Sequence, residues 1–213
     1  MQAKSGKPKK RDAELTRQRL LKAALKEFAG KGLGGGRVDR IAERAGVNKR
    51  MLYHYFGSKE GLFLAVLEGA YGQLRSAERA LDLEHLPPRA AIERIVDFTW
   101  DYYLKHPEFL TLVNSENLHK ARHLKKSKIL PAMYSDMLHL LQGILERGSG
   151  SGEFRAGVEP LQLAISIAAL GYYYLTNRYT MTILADFDLM APAALERRRA
   201  EIKRTVIASL RPD

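Results

Sequence analysis

An all-α fold, with a three-helix headpiece ahead of a larger helical body, is predicted by three features of the sequence. Apolar residues recur at helical spacing in almost every segment. Glycine- and proline-rich clusters punctuate those segments. Two short helical patterns are joined by the tight turn Ala45-Gly46-Val47. In chain order, Leu21, Ala24, Leu25 and Phe28 fall at i, i+3, i+4 and i+7 on a first helix over about 13–29, which "GKGLGGG" (30–36) ends. Val38, Ile41, Ala42 and Ala45 turn inward on a second helix over 38–45. Asn48 suits the N-cap of a third helix reaching about Tyr55. Ser58 caps a connecting helix to about Leu81, and "HLPPR" (85–89) breaks the chain. Helices then follow over 90–106 and 108–118, a basic linker "HKARHLKKSK" over 119–128, and a long helix over 130–147. "GSGSGE" (148–153) reads as a flexible connection to helices over 161–184 and 193–210. The predicted domains are residues 1–57 and 58–213.

Composition narrows the function classes. Cysteine is absent among the 213 residues, which excludes disulfides, thiolate metal sites and a cysteine nucleophile. No stretch of signal-peptide type opens the sequence, and the longest apolar run, "LAISIAALGYYYL" (163–175), is short of the ~20 residues of a bilayer span. These features predict a soluble cytoplasmic protein without a membrane partner. The net charge of +11 is unevenly placed: residues 1–60 hold 16 Lys and Arg against 6 Asp and Glu, leaving 19 against 18 for the rest of the chain. A basic tail, "KSGKPKKR" (4–11), expected to be disordered, supplies part of the excess but not the cations inside the helices that follow. A basic module joined to a neutral one predicts that the first meets a polyanion and the second does something else.

The third helix carries the sharpest signal. Lys49, Arg50, Tyr53, His54 and Tyr55 crowd a segment whose core-facing residues are Leu52 and Phe56, leaving Lys49, Arg50, Met51, Tyr53 and His54 to face outward. Two short helices joined by a glycine turn form a helix-turn-helix, whose second helix enters a major groove of double-stranded DNA. An arginine there gives two hydrogen bonds to guanine and a methionine touches a thymine methyl, so Arg50 and Met51 are the candidates for direct base readout. Tyr55 is better read as core.

"TRQRLLKAALKEFAGKG" and "VDRIAERAGVNKRMLYHYFGSKEGLFLAVLE" resemble the DNA-binding region of TetR-family transcriptional regulators over about residues 16–68. Phe28, Gly32, Ile41-Ala42, Ala45-Gly46-Val47, Tyr53, Tyr55-Phe56, Ser58-Lys59-Glu60 and Leu62 carry the likeness. The resemblance implies backbone-positioning roles for Tyr53 and Lys59, and His54 joins them as a candidate. Arg37 stands where a Thr or Ser cap is common, so a hydroxyl contact to phosphate is replaced at most by charge. With Asn48 these complete the candidate DNA-binding set.

In the body, the helix over 161–184 is apolar on two opposite faces: Leu161, Ala164, Ile165, Ala168, Tyr172, Leu175 and Tyr179 on one, Leu163, Ile167, Leu170, Tyr174, Asn177 and Met181 on the other. Such a helix is either central to a monomeric core or shared with a second copy. The resemblance, whose members dimerise through their last two long helices, implies a homodimer with Ala168, Tyr172, Leu175, Tyr179, Ile202 and Val206 at its interface. Trp100, Tyr103, Asn114, Asn117, Tyr134, Met137, Tyr174 and Asn177 are either core or the wall of an apolar pocket with polar fixtures, and the resemblance implies a small-molecule effector there. "ENLHKARHLKKSKIL" is loosely similar to the family's pyrimidine-responsive RutR branch.

His119, His123 and Glu116 have metal-ligand spacing, but their basic surroundings predict solvated histidines and no metal. No phosphate loop, nucleophile elbow or acid/base pair is evident, and no cofactor is expected. The prediction is a homodimeric, ligand-responsive DNA-binding regulator, most simply a repressor released from a near-palindromic operator by its effector. The rivals are a helical enzyme or ligand carrier with a basic surface, and a sequence-independent nucleic-acid binder.

Overall fold

The computed structural model describes residues 10–212, and most of the basic tail lies outside them. Ten α-helices form among the described residues: α1 Lys10–Gly35, α2 Val38–Ala45, α3 Lys49–Phe56, α4 Lys59–Arg79, α5 Pro88–Lys105, α6 Pro107–Leu118, α7 Leu130–Gly150, α8 Pro160–Thr176, α9 Arg178–Ala185 and α10 Pro192–Leu210. Short 3₁₀ turns occupy Leu83–His85 and Leu124–Lys126. Proline opens α5, α7, α8 and α10 within the first two positions, where its missing N–H leaves no helical bond unmade. No helix among the described residues is long and apolar enough to cross a membrane.

The described chain divides into two compact units: the residues up to Ala70 with Thr111–Ser127, and Tyr71–Leu110 with the residues from Lys128 onward. The first unit is built on α1, whose fully buried stripe is Leu20, Ala24 and Phe28. Leu21 and Leu25, expected in that stripe, lie half-buried at its margin. Phe28 meets Phe63 of α4 edge-on at 5.3 Å between ring centres, and Ile41 and Leu52 complete the core under α2 and α3. The glycine run does not stop α1 at Ala29. Helical geometry continues to a single break at Gly32, whose φ of 63° favours glycine. Residues 111–127 close the unit: the Ser115 hydroxyl accepts the Leu33 N–H at 3.1 Å.

In the second unit α5 touches α7, α8 and α10, and Ile92, Val96 and Trp100 of α5 are buried, as are Leu141, Ile144, Ile167, Leu175, Ile202 and Val206 of those three helices. Ion pairs of Asp97 with Arg199 (3.0 Å) and Lys203 (3.1 Å) tie the charged face of α10 to α5.

Three expectations change here. The "GSGSGE" segment is not a free connection: α7 runs through it to Gly150, and Gly148 is buried against Phe154 so closely that a Cβ would meet the ring at 2.1 Å. The helix expected over 161–184 is two, α8 and α9, parted at Asn177 where φ is −100° and ψ is 7°. His123 is not solvated. It is enclosed beside Phe63, with Nδ1 2.7 Å from Glu116 Oε2, while Glu116 also accepts the N–H groups of His123 and Leu124. Burial pushes the Glu116 carboxyl up, but these bonds from Leu124 and His123 outweigh it and hold the group below the usual carboxylate range.

Candidate nucleic-acid interface and effector cavity

α2 and α3 are set by their caps. Gly46, in the left-handed region at φ 63°, ends α2, with its N–H donating to the Glu43 carbonyl at 2.9 Å and the Val47 N–H to the Ala42 carbonyl at 3.0 Å. Two residues later the Asn48 side chain accepts the Arg50 N–H at 2.8 Å and starts α3. Leu52 is then fully buried, which leaves Arg50, Tyr53 and His54, spaced i, i+3 and i+4, exposed together on the opposite face. Met51 is half-buried at the edge of that face, and Tyr55 is half-buried with its ring against His54 and Phe56.

The remaining predicted contacts are tied into the unit. Lys49 Nζ lies 2.7 Å from Asp39 Oδ1, an exposed pair joining the first turns of α3 and α2. The hydrogen bond to Lys49 and its charge hold the Asp39 carboxyl below its ordinary value, and the same bond raises the Lys49 ammonium. Lys59 Nζ donates to the Gly34 carbonyl at 3.3 Å. Arg37 has an exposed side chain and makes no side-chain cap; its backbone N–H donates to Glu27 Oε1 at 3.2 Å.

Glu27 is the residue that sequence reasoning missed. It is 3% exposed, and its second oxygen lies 3.5 Å from Arg44 Nη1, so one buried carboxylate holds both ends of α2 against α1. Position 37 is thus fastened to α1 through its backbone N–H, while no side chain caps α2 there. The signal was available: Glu27 stands seven residues after Leu20 and three after Ala24, an acid on an apolar stripe.

In the other unit a cavity of about 90 Å³ opens among α4, α5, α7 and α8. Of the residues put forward for a pocket, Tyr103, Tyr134 and Met137 line this cavity. Trp100 does not: it is buried against Gly171 and edge-on to Tyr174 at 5.7 Å. The Tyr174 hydroxyl donates to the Leu189 carbonyl at 2.7 Å, and the Asn177 amide donates to the Tyr173 carbonyl at 3.0 Å at the end of α8. Asn114 and Asn117 belong to the first unit, both exposed, and Asn117 donates back to the Val113 carbonyl of its own helix. None of these five lines the cavity. What the sequence did not suggest is its polar fixture, Arg75 and Glu78 of α4. Arg75 Nη1 is 2.5 Å from Glu78 Oε2, with the side chains 12% and 15% exposed. Burial pushes the Glu78 carboxyl up to about 7, against the pull of Arg75. Burial likewise raises Tyr103, which stays a protonated phenol.

The expected dimer face is corrected as well. Leu175, Ile202 and Val206 are each 2% exposed within the single chain, enclosed by its own core, and present no surface to a partner. Ala168 and Tyr172 are half-buried, and only Tyr179 of that set is open. Exposed apolar side chains are found instead on Leu161, Ile165, Tyr173, Ile183, Leu184 and Phe187.

Two family models match this chain. Residues 20–66 match the family model described as bacterial regulatory proteins, tetR family, and residues 88–206 match a tetracyclin repressor-like C-terminal domain. The HTH-type transcriptional repressor NicS of Pseudomonas putida is 40% identical over 189 residues, covering 89% of each chain. RutR of Escherichia coli is 27% identical over 195 residues, 91% of this chain and 89% of that one. The crystal structure of the regulator SCO4942 from Streptomyces coelicolor superposes with a TM-score of 0.68 at 25% identity, over 92% of this chain and 99% of that one.

Proposed function

The chain belongs to the TetR family of bacterial transcriptional regulators, and from that premise we propose that it represses transcription as a homodimer whose two α3 helices read an operator and whose body releases it on binding an effector. It is a DNA-binding regulator and not an enzyme. The observation that carries the reading is the outward face of Arg50, Tyr53 and His54, held by caps and by the buried Leu52. Arg50 reads a base and Met51 brushes the groove at its margin, while Tyr53, His54 and Arg37 settle on the backbone. Lys49 and Lys59 exchange Asp39 and the Gly34 carbonyl for phosphate oxygens. Operator reading is assigned to residues 1–57, and effector binding and dimerisation to 58–213, in the cytoplasm where the operator is.

The partner copy docks on the exposed apolar side chains of α8 and α9. Ile183 and Leu184 are each 80% exposed, which water disfavours on a free surface. α4 carries the signal: its first turns belong to the DNA-reading unit and its last turns hold Arg75 and Glu78. A ligand that moves them changes the spacing of two recognition helices that must meet successive major grooves about 34–36 Å apart.

A gel shift with operator selected from random DNA, alongside sedimentation, tests this reading. The expected result is a dimer on a near-palindrome that resists random competitor, with Leu184→Asp giving monomers that lose the operator. A monomer on an asymmetric site, or equal competition by random DNA, overturns it.

A further inference from the structure

The cavity has a neighbour that its volume alone does not reveal. A surface cleft of about 490 Å³ lies against it, and the two share Arg75, Glu78, Leu83, Met137 and Leu140. The Arg75–Glu78 pair therefore stands at the neck between an outer, charged space and an inner, apolar one. Outside, the cleft is faced by Arg79 and Asp136, paired at 3.0 Å and well exposed, and by Asp82, Glu84 and Met133. Inside, the wall is mainly apolar, with Leu74, Leu141 and Ile167, and also carries the hydroxyl-bearing Thr99, Tyr103 and Tyr134.

Three properties of the neck decide what fits it. Among the described residues Arg75 is the only cation lining the inner cavity, so the fixed positive charge they place there is single. Its Nη1 is close to Glu78 Oε2, yet it is a buried nitrogen without a hydrogen bond of good geometry: the contact is one of charge and not of direction. A buried donor left in that condition gains more from a correctly aligned acceptor than a satisfied one would. Glu78, desolvated in the same neck, is a poor holder of negative charge and can yield its place by taking a proton. The inner volume is well below the ~300–1,000 Å³ of a site that encloses a drug-sized molecule, so what enters is small.

We infer that the effector is a small organic acid whose carboxylate replaces Glu78 on the Arg75 guanidinium at the neck, with a short apolar arm in the inner cavity against Leu74, Leu141 and Ile167. The inference rests on the reading of the body as an effector domain and specifies the chemical class. An amine is disfavoured by Arg75, and a neutral molecule of the same shape leaves the Arg75–Glu78 contact unimproved. Met137 and Leu140 form both rims of the neck, so a ring enters by turning these flexible side chains.

Two matched pairs of probes test it on the full chain: butanoate against butanamide, and benzoate against benzamide, by isothermal titration with gel shift of the selected operator in parallel. At least one acid is expected to saturate about tenfold or more tighter than its amide, the margin of a charge-assisted hydrogen bond over a neutral one. Arg75→Gln should erase that margin, and Glu78→Gln, which removes the competing charge and keeps a donor, should preserve or widen it. Circular dichroism and melting establish that each variant is folded, and the wild-type acid–amide comparison needs no variant at all. Acids that bind no tighter than their amides, or not at all, overturn the inference, as does an unchanged margin in Arg75→Gln. Amides that bind and release the operator would overturn the acid while leaving the effector domain standing, so the two readings fail separately.

Discussion

The two units treat the polar groups proposed to carry their functions in opposite ways. In the DNA-reading unit Arg50, Tyr53 and His54 stand open on one face of an eight-residue helix, and the buried carboxylates of the same unit, Glu27 and Glu116, brace backbone N–H groups. In the body the polar groups proposed to meet a ligand, Arg75 and Glu78, are largely enclosed, and α8 and α9 expose large apolar side chains such as Ile165, Ile183 and Leu184. A surface that reads a long polyanion must present its donors to water before the partner arrives. A site that holds a small molecule must remove its donors from water, because only there is one aligned bond worth much.

Arg50→Ala gives the largest change that this contrast predicts. Operator affinity should fall by about 1–3 kcal/mol with specificity relaxed at one base pair. Melting temperature and ligand affinity of the free protein should be unmoved, since the side chain is exposed. Lys59→Ala should weaken cognate and random DNA alike and lower the salt slope by about one. Equal losses on cognate and random DNA in both variants would dissolve the distinction between reading and positioning. Fluorescence anisotropy against salt measures all four combinations.

Glu27→Ala probes the braces. It strands the Arg37 N–H and removes the ion pair to the half-exposed Arg44, and the expected loss is about 1–2 kcal/mol of stability by urea denaturation. Well below the transition, operator binding should survive. A variant of unchanged stability would mean that the carboxylate is not what fastens α2.

The same contrast explains what was legible beforehand. α2 was read residue for residue and α3 to within one, because caps, turn glycine and apolar spacing all lie within 20 residues of sequence. The cavity joins α4, α5, α7 and α8, residues 74 to 168, and no local spacing encodes which face of each helix meets the others. Trp100, Tyr174 and Asn177 do not line the cavity, while Arg75 and Glu78, spaced i and i+3 on α4, give no local sign of being enclosed. Leu175, Ile202 and Val206 failed as dimer residues for a related reason: periodicity finds an apolar face without saying whether the chain itself covers it. "GSGSGE" misled because glycine marks close contact as well as freedom, and only Phe154 shows which applies at Gly148.

The smallest effect is the most diagnostic of enclosure. Glu78 is held up to about 7 against an ordinary 4.5, chiefly by desolvation, so the folded chain binds this proton more tightly than the unfolded one. Where the native state holds the extra proton, stability falls as pH rises. The contribution of Glu78 should therefore decline from about pH 4.5 to about pH 7 and be flat above that. Carboxylates held low, such as Asp39, Glu60 and Glu116, lose their stabilising charge as pH falls and slope the other way, so the informative quantity is wild type minus Glu78→Gln. Urea denaturation at pH 5, 6, 7 and 8 should show that difference shrinking by on the order of 1 kcal/mol between pH 5 and 7. A difference independent of pH would place Glu78 in contact with water and Arg75 with it, and the two units would then no longer differ in how they keep their charges.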